Sequence, residues 1–393
     1  MPHISLRKIL LITGFLLLVA LIATLLYSIA FKKTPTPPSA PTPTPSATLP
    51  TARPGAPRTT VDGRTVLIGA DGTAVEAPTA ITTTGSVFST TANTGNVRFY
   101  QPRSGEFQQV AIDGTIKQLG EKSFLGAENV TWSPTSEQAV IEFPDGANIV
   151  YDFQSDTQYT LPKHWEDFSF NKTGESLAFK SLALDPDNNW LGTANVDGTA
   201  AKAIEPLGRN AASVDVLWSP RGDILGYQHT PSAADQQDIF LIGLNGENYR
   251  SLTVPGVGMQ AKWTPDGQRL LYSVSSAATG YRPTVWLVDA SGEAIGANRH
   301  SIGVTTWADK CTFSSQTKVV CAVPTELPEG AGLSPSIADS YRDNLFAIDL
   351  ATGTREQIGP DVPIETVRQL SVSTDGLWLT IETIFGGISR LRL

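Results

Sequence analysis

The sequence predicts an all-β protein: a seven-bladed β-propeller of four-stranded antiparallel blades, preceded by one transmembrane helix and a Pro/Thr-rich linker. Three observations lead to this prediction. The 393 residues include 34 glycines and 27 prolines but only 17% charged residues, a balance typical of short strands joined by tight turns. A motif of an aromatic residue, a polar turn and an apolar strand recurs along the chain. The first 58 residues have a composition of their own.

The first distinct segment is residues 9–31, which contain no charged side chain. A helix of this length rises about 34 Å, enough to cross a hydrocarbon core of about 30 Å. We therefore expect residues 1–8 to form a short cytoplasmic segment and residues 9–31 a single membrane-spanning helix. A cleaved signal peptide is the alternative, although the apolar core of such peptides is only about 7–15 residues long.

The second segment, residues 32–58, contains nine prolines interleaved with threonine, serine and alanine. A segment of this kind has little to bury, and its backbone favours the extended polyproline II conformation. We expect a stiff, disordered stalk between the membrane and a folded domain that comprises residues 59–393.

Charge divides at the same boundary. Residues 1–58 hold six of the 29 basic residues and none of the 38 acidic ones, so residues 59–393 carry 23 basic and 38 acidic residues, a net charge of −15. An acidic domain argues against nucleic-acid binding and against lying flat on an anionic bilayer. The short basic N-terminus and the stalk together predict a single-pass cell-membrane protein with a cytoplasmic N-terminus and an extracytoplasmic propeller.

The repeat determines the predicted fold. Residues 218–227 read WSPRGDILGY and residues 263–272 read WTPDGQRLLY, and fainter copies follow the same order of aromatic residue, turn and apolar strand. Neighbouring anchors are 38 to 59 residues apart, close to the spacing of propeller blades, about 40–50 residues. Seven anchors predict seven blades, and six is the alternative if the faintest copy, at Phe88, is not a repeat. The anchors are Phe88, Trp132, Phe170, Trp218, Trp263, Phe313 and Val372.

The final repeat lacks its fourth strand. Residues 65–75 (TVLIGADGTAV) read as a strand, a turn and a second strand with no anchor before them. We expect this segment to complete the last blade and close the ring, which would remove exposed strand edges.

The WSPRGDILGY and WTPDGQRLLY runs resemble the WD-type repeats of TolB-like β-propellers, over about residues 85–393. Together with the predicted anchor and stalk, they make the chain similar to membrane-anchored bacterial members of that family. The resemblance implies the fold and says little about function. The sequence shows no separate N-terminal domain of the TolB kind, so the partners of TolB are not carried over. It also shows no hydrolase domain of the kind that follows related propellers in prolyl oligopeptidases.

Cys311 and Cys321 flank a short predicted hairpin, CTFSSQTKVVC. In an oxidising compartment we expect them to form a disulfide across neighbouring strands, which would contribute about 3 kcal/mol in the chain-entropy model. Two buried free thiols are the alternative. A redox site is not expected, because the spacing is not C-x-x-C.

Long segments between the second and third strands of the predicted blades emerge on one face of a propeller, which makes that face the predicted binding surface. These segments are residues 181–189, 229–237, 275–282 and 324–343. The candidate binding residues in or beside them are Asp187, Trp190, His229, Tyr281, Arg282, Tyr341 and Arg342.

The sequence offers no catalytic, cofactor or metal motif. No G-x-S-x-G nucleophile elbow is present, and the four histidines and two cysteines lack ligand-like spacing. We therefore expect a non-catalytic protein-binding or scaffolding module of the cell envelope, whose partner is a protein or an envelope component. One alternative is an envelope enzyme that acts on glycans or peptides in the central propeller channel. Another is a purely structural envelope protein.

Overall fold

The computed structural model describes most of the chain from Arg58 onward. The described residues are Thr24, 58–61, 64–68, 74–76, 78–82, 85–92, 95–247 and 249–393. Of residues 1–58, which hold the predicted cytoplasmic segment, membrane helix and stalk, all but Thr24 and Arg58 lie outside this set. Among the described residues there is no helix with both the length and the apolar character needed to cross a membrane.

The first three described strands pair only with one another. They are β1 (Arg58–Val61), β2 (Arg64–Ile68) and β3 (Ala74–Glu76), and they form a three-stranded antiparallel sheet. The next strand, β4 (Thr79–Thr82), belongs to a different sheet at the far end of the chain.

The rest of the described chain forms seven four-stranded antiparallel sheets, which are the blades of a β-propeller. Blade 1 consists of β5 (Val87–Thr91), β6 (Val97–Gln101), β7 (Glu106–Val110) and β8 (Ile116–Leu119), and blade 2 of β9 (Asn129–Trp132), β10 (Gln138–Glu142), β11 (Asn148–Asp152) and β12 (Thr157–Leu161). Blade 3 consists of β13 (Trp165–Phe170), β14 (Ser176–Ser181), β15 (Trp190–Asn195) and β16 (Lys202–Pro206), and blade 4 of β17 (Val214–Val216), β18 (Ile224–Ala233), β19 (Gln236–Gly243) and β20 (Leu252–Pro255). Blade 5 consists of β21 (Val257–Trp263), β22 (Arg269–Ser275), β23 (Pro283–Asp289) and β24 (His300–Ser301), and blade 6 of β25 (Cys311–Phe313), β26 (Lys318–Pro324), β27 (Asp343–Asp349) and β28 (Arg355–Ile358). Blade 7 consists of β29 (Val367–Val372), β30 (Trp378–Thr383), β31 (Ile388–Arg392) and β4.

Short 3₁₀ helices lie in the connections. In the described part of the chain they are Pro186–Asn188, Gly208–Ser213, Ala277–Thr279, Gly292–Ala294, Ala308–Lys310, Ala331–Leu333 and Pro335–Ser340.

The ring is closed by β4, which pairs antiparallel with β31 in the register Ile388↔Thr82 and Arg390↔Thr79. A strand from the N-terminal side therefore closes the last blade, as predicted, but that strand is β4 and the prediction of residues 65–75 is wrong. The predicted segment, residues 65–75, pairs locally instead, with Leu67 opposite Arg58 in β1 and opposite Val75 in β3. Strands β2 and β3 of this segment find their partners in each other and in β1, whereas β4 (TAIT) is too short to be recognised from its pattern.

The apolar core lies between neighbouring sheets. One cluster combines Tyr227 and Ile239 of blade 4 with Leu270 and Val288 of blade 5, and all four side chains are buried. The first strands of several neighbouring blades contact one another, so the first strands surround the central axis.

The anchor tryptophans of the repeat tie adjacent blades together. Trp132 Nε1 donates a hydrogen bond to the Phe88 carbonyl at 2.7 Å, and Trp263 Nε1 donates to the Leu217 carbonyl at 2.9 Å. Each acceptor lies in or directly after the first strand of the preceding blade. The tryptophan thus contributes both a packed ring and a directed bond across the blade boundary.

The turn that follows Trp263 contacts the matching turn of the preceding blade. Gly267 has a φ of +69°, and a Cβ there would lie 2.9 Å from the Arg221 backbone nitrogen. The glycine of the Pro-Asp-Gly turn is therefore needed for its backbone conformation and also for the close approach of blade 4.

Strand direction defines two faces of the propeller. The connections between second and third strands and between consecutive blades share one face, called here the loop face; the opposite turn face carries the first-to-second and third-to-fourth turns. The loop face comprises residues 85–86, 102–105, 120–128, 143–147, 162–164, 182–189, 207–213, 234–235, 256, 276–282, 302–310, 325–342, 359–366 and 384–387.

One predicted loop on this face is not a loop. Residues 229–237 were expected to be irregular, but β18 continues to Ala233 and β19 begins at Gln236, so only two residues separate the strands. Polar residues can form these strands because the hydrogen bonds between the strands join backbone groups, and the side chains of a hairpin that extends beyond the sheet face water.

Candidate functional site

Three neighbouring depressions on the loop face share lining residues and are called here together the furrow. The blade 2–4 groove has a volume of about 870 Å³. The central mouth, at the first strands of blades 3 to 5, has a volume of about 250 Å³, and the blade 5–7 groove has a volume of about 410 Å³. Asp167 lines both the blade 2–4 groove and the central mouth, while Gln260 and Asp309 line both the central mouth and the blade 5–7 groove. Residues of blades 2 to 7 therefore contribute to the walls of the furrow.

Aspartates from three blades converge on the central mouth: Asp167, Asp215 and Asp309. Asp167 lies in a β-bulge at the start of β13, with a φ of 57°. Bulges redirect side chains. Here the carboxylate contacts Lys180 Nζ at 2.9 Å and accepts a hydrogen bond from the Val216 backbone at 3.4 Å, in the next blade.

The environment of the mouth shifts the pKa of several groups. Burial raises the pKa of Asp215, and His229, whose Nε2 lies 3.9 Å from its Oδ2, partly offsets that rise. Burial also raises the pKa of Asp309. Tyr227 has a raised pKa because it is buried and faces the charge of Asp215. Two of the three aspartates have a lysine nearby: Asp167 pairs with Lys180 at 2.9 Å, and the charge of Lys262 acts on Asp309.

Lys262 provides one of those cations. Burial lowers its pKa to about 8, while the charge of Asp309 raises it. Its ammonium donates hydrogen bonds to the carbonyls of Asp309 at 2.9 Å and Cys311 at 2.7 Å. Lys262 therefore links blade 5 to blade 6 beneath the mouth.

Lys310 and Asp343 form a second linked pair. Both residues are buried, and Lys310 Nζ lies 2.9 Å from Asp343 Oδ2. The same oxygen accepts a hydrogen bond from the Val367 backbone at 2.6 Å, so the carboxylate joins blade 6 to blade 7. Burial raises the pKa of Asp343, and the charge of Lys310 opposes that shift. This pair supports the wall of the blade 5–7 groove, which Lys310 and Val367 line.

The blade 2–4 groove is more acidic and less compensated. Glu128, Glu142 and Glu166 line it, and no cation of the described residues lies within ion-pair distance of these three carboxylates. Burial raises the pKa of Glu142, although Asn129 Nδ2 donates a hydrogen bond to it at 2.6 Å.

None of the residues predicted from sequence lines the three depressions, but three of them stand next to residues that do. Asp187 is exposed in a 3₁₀ helix beside the blade 2–4 groove and pairs with Arg209 at 3.2 Å. Trp190 begins β15 at the edge of that groove and is 36% exposed. His229 lies beside Asp215, whose carboxylate lines the central mouth.

The other four predicted residues hold the long insertion at residues 325–342. Arg282 Nε donates to the Leu327 carbonyl at 2.7 Å, and the Tyr281 carbonyl accepts a hydrogen bond from the Gly332 backbone at 2.8 Å. At the other end, Arg342 Nε donates to the Ile364 carbonyl at 3.4 Å, and the Tyr341 carbonyl accepts a bond from the Thr366 hydroxyl. These side chains and carbonyls position the insertion against blades 5 and 7.

Sequence reasoning missed the acidic residues of the furrow, above all Glu142, Glu166, Asp167, Asp215 and Asp309. A usable signal was present, because several of them stand at the loop-face end of a first or second strand. Acids at that position in successive repeats necessarily approach the same face.

Cys311 and Cys321 are joined by a disulfide with an S–S distance of 2.08 Å. They lie directly opposite each other in β25 and β26, and both are fully buried. The bridge therefore lies in the interior of blade 6. Among the described residues no group of three or more His, Cys, Asp or Glu side chains is arranged to hold a metal ion.

Large apolar side chains are exposed along the loop face. They are Leu125, Leu184, Leu333, Val362 and Phe385. They stand on connections of five different blades or blade boundaries around the furrow. These side chains are available to a binding partner, although the turn face also exposes single apolar side chains, at Ile112, Ile116 and Leu377.

Comparison with known proteins supports the fold. No protein-family model matches the sequence, and no curated protein is significantly similar to it. Among solved structures, the tricorn protease matches with a TM-score of 0.52 and 10% identity over 84% of this chain, which spans 36% of that protein. A chain of the mitotic checkpoint complex matches with a TM-score of 0.54 and 16% identity, covering 90% of this chain and 98% of its own. The Cps50 (Swd1) propeller of Myceliophteria thermophila matches with a TM-score of 0.52 and 10% identity, covering 80% of this chain and 99% of its own. At these identities the similarity shows the seven-bladed, WD-repeat-like propeller fold alone.

Proposed function

We propose that this chain is a membrane-anchored, extracytoplasmic propeller of the TolB-like kind, and that it binds a protein or cell-envelope partner without catalysing a reaction. The observation that carries the proposal is the loop face, where the three depressions of the furrow and exposed apolar side chains occur together. The anchor and the location rest on the sequence of residues 1–58. One of the structurally similar chains belongs to a multiprotein complex.

Charge pairing in the central mouth favours binding over catalysis. Asp167 forms an ion pair with Lys180 at 2.9 Å and accepts a hydrogen bond from the Val216 backbone. A carboxylate that is fixed in this way stabilises the contact between blades 3 and 4, and it is less available as a catalytic acid or base than an unpaired group.

The binding surface can be tested by photo-crosslinking. A photoreactive amino acid is placed in the full-length chain at Leu184, Leu333 or Phe385 on the loop face, and at Ile116 or Leu377 on the turn face as matched exposed controls. In native membranes we expect the loop-face positions to crosslink to one partner and the controls to give none. Crosslinks from the turn face alone, or from neither face, would contradict the proposal.

An envelope enzyme acting on glycans or peptides is the second candidate. The observation that favours it is the convergence of Asp215 and Asp309, both with raised pKa, on the central mouth. Purified protein is incubated with cell-wall glycans and with peptide libraries, and the products are analysed by mass spectrometry. Turnover that is abolished by Asp215→Asn or Asp309→Asn would establish the enzyme and overturn the non-catalytic proposal.

A further inference from the structure

We propose that the blade 2–4 groove is the docking site for an extended peptide segment of the partner, one that carries a lysine or arginine flanked by apolar residues. This inference rests on the proposed binding function and names the chemistry of the partner. Four features of the groove carry it: its size, its apolar walls, its uncompensated charge and one free hydrogen-bond acceptor.

The groove has the size and walls of a peptide site. Its volume of about 870 Å³ lies within the usual range of ligand sites, about 300–1,000 Å³. Phe143, Pro144 and Leu182 form apolar parts of the wall. Leu184 stands fully exposed on the same connection as Leu182. A bare cation would use none of this apolar surface, whereas a peptide with apolar neighbours around its charge would cover it.

The charge of the groove selects a cation. The lining cations, Lys180 and Arg209, are already paired with Asp167 at 2.9 Å and with Asp187 at 3.2 Å. The glutamates at positions 128, 142 and 166 have no such partner among the described residues, so the groove keeps a negative charge. Burial raises the pKa of Glu142, hydrogen bonds from Asn129 and from the Asp167 backbone partly offset that rise, and a bound cation would lower the pKa further.

Asn148 adds an independent indication of a hydrogen-bond donor. The residue lines the groove and is only 3% exposed. Its Nδ2 donates to the Trp165 carbonyl at 2.6 Å, which fixes the orientation of the amide, and no group of the described chain donates to its Oδ1.

The neighbouring Asn189 shows what a satisfied side chain looks like in the same groove. Its Oδ1 accepts a hydrogen bond from the Ala183 backbone at 2.8 Å, and its Nδ2 donates to the Gly208 carbonyl at 3.1 Å. The oxygen of Asn148 does not belong to the buried side-chain atoms that lack a partner, so it is accessible from the groove that Asn148 lines. It can accept a hydrogen bond from an ammonium or guanidinium group, and it cannot donate one to an anion.

The test begins with a displayed library of eight-residue peptides selected on the purified full-length chain. We expect the enriched peptides to share a lysine or arginine with apolar neighbours. Their binding is then measured by fluorescence anisotropy against the wild type and against the double variant Glu142→Gln/Glu166→Gln. The double variant should bind about tenfold more weakly, and wild-type affinity should fall with rising salt.

The control is Glu356→Gln, which removes an exposed carboxylate from β28 of blade 6. It should leave the affinity unchanged, and the melting temperatures of all variants should match that of the wild type. Failure to enrich any peptide, enrichment without basic residues, or equal binding by the double variant would overturn the docking site. If spermine displaces the peptides and binds as tightly as they do, the groove recognises a small cation and the peptide proposal is wrong.

The outcome separates this inference from the proposed function. Loop-face crosslinks to a partner together with failed peptide selection would leave the binding function intact and remove only the groove. Loss of the loop-face crosslinks as well would remove both.

Discussion

Asp167 illustrates how a single backbone position shapes the candidate site. Its φ of 57° is matched in the bulges that begin two other first strands, at Phe88 with 55° and at Gly258 with 65°. Blade 5 uses glycine there, as such a conformation favours. Blade 3 retains a side chain in spite of the strain, and that side chain contacts Lys180 and the backbone of blade 4.

The pair formed by Lys310 and Asp343 yields a stability prediction at the residue scale. Lys310→Met leaves a buried carboxylate with only the Val367 hydrogen bond, so we expect it to lower the free energy of unfolding at pH 7 by about 3 kcal/mol. Guanidinium denaturation measures the change. The double variant Lys310→Met/Asp343→Asn, which removes the charge and keeps the acceptor, should recover most of the loss. Equal stability of the two variants would show that the ion pair is not responsible.

The same substitution should depend on pH. The pKa of Asp343 is already raised by burial above its ordinary value of 3.8, and removal of the Lys310 charge raises it further. A raised acid pKa means that the folded state holds its proton at pH values where the unfolded chain has lost it. Stability therefore falls as pH rises above about 4, and the deficit of Lys310→Met should be smaller at pH 5 than at pH 7.

At the scale of elements, the position of β4 in blade 7 predicts that two N-terminal deletions of similar length differ in their effect on stability. β1–β3 pair among themselves, whereas β4 completes blade 7 and carries Ile81 against the cluster of Val97 and Phe99. Deleting residues 59–76 should leave the melting temperature nearly unchanged. Deleting residues 59–82 exposes the edge of β31 and should lower it by roughly 5–10 °C. Differential scanning calorimetry compares the two, and equal effects would show that β4 does not close the ring.

The elements that the sequence predicts well are those with a strong local signature. The anchors Trp132, Trp218 and Trp263 stand at or next to the ends of first strands, and the apolar runs after them form second strands. β4 and the hairpin around Ala233 were missed because neither carries a pattern of its own. Each forms because its backbone pairs with a neighbouring strand, and the sequence of the segment does not identify that strand.

At the scale of the whole molecule, the furrow depends on register and on ring geometry. Glu128, Glu142 and Glu166 come from a blade connection, a second strand and a first strand, and they meet only because two sheets pack side by side. A pattern along the chain predicts the blade, and it does not predict which strand ends lie together. The strand order places the predicted second-to-third segments on the loop face, as expected, whereas the acids between them were not predicted.

The blade contacts lead to a prediction about cooperativity. Trp132→Phe and Trp263→Phe keep a packed ring and remove the indole hydrogen bonds to Phe88 and Leu217, so each should cost about 1 kcal/mol. Blades 2 and 5 are not adjacent, so the double variant should lose the sum of the two values. A closed ring should also unfold in one transition. Chemical denaturation followed by fluorescence and by circular dichroism tests both points, and separate transitions would contradict a cooperative ring.

The closing strand also has a mechanical consequence. β4 is the last strand before blade 1, and the chain reaches it directly from the N-terminal side. A load applied to residues 1–58 would reach β4 before any other strand of the propeller and would act on its short ladder to β31. Blade 7 is thus the point at which tension on the N-terminal part of the chain would first open the ring.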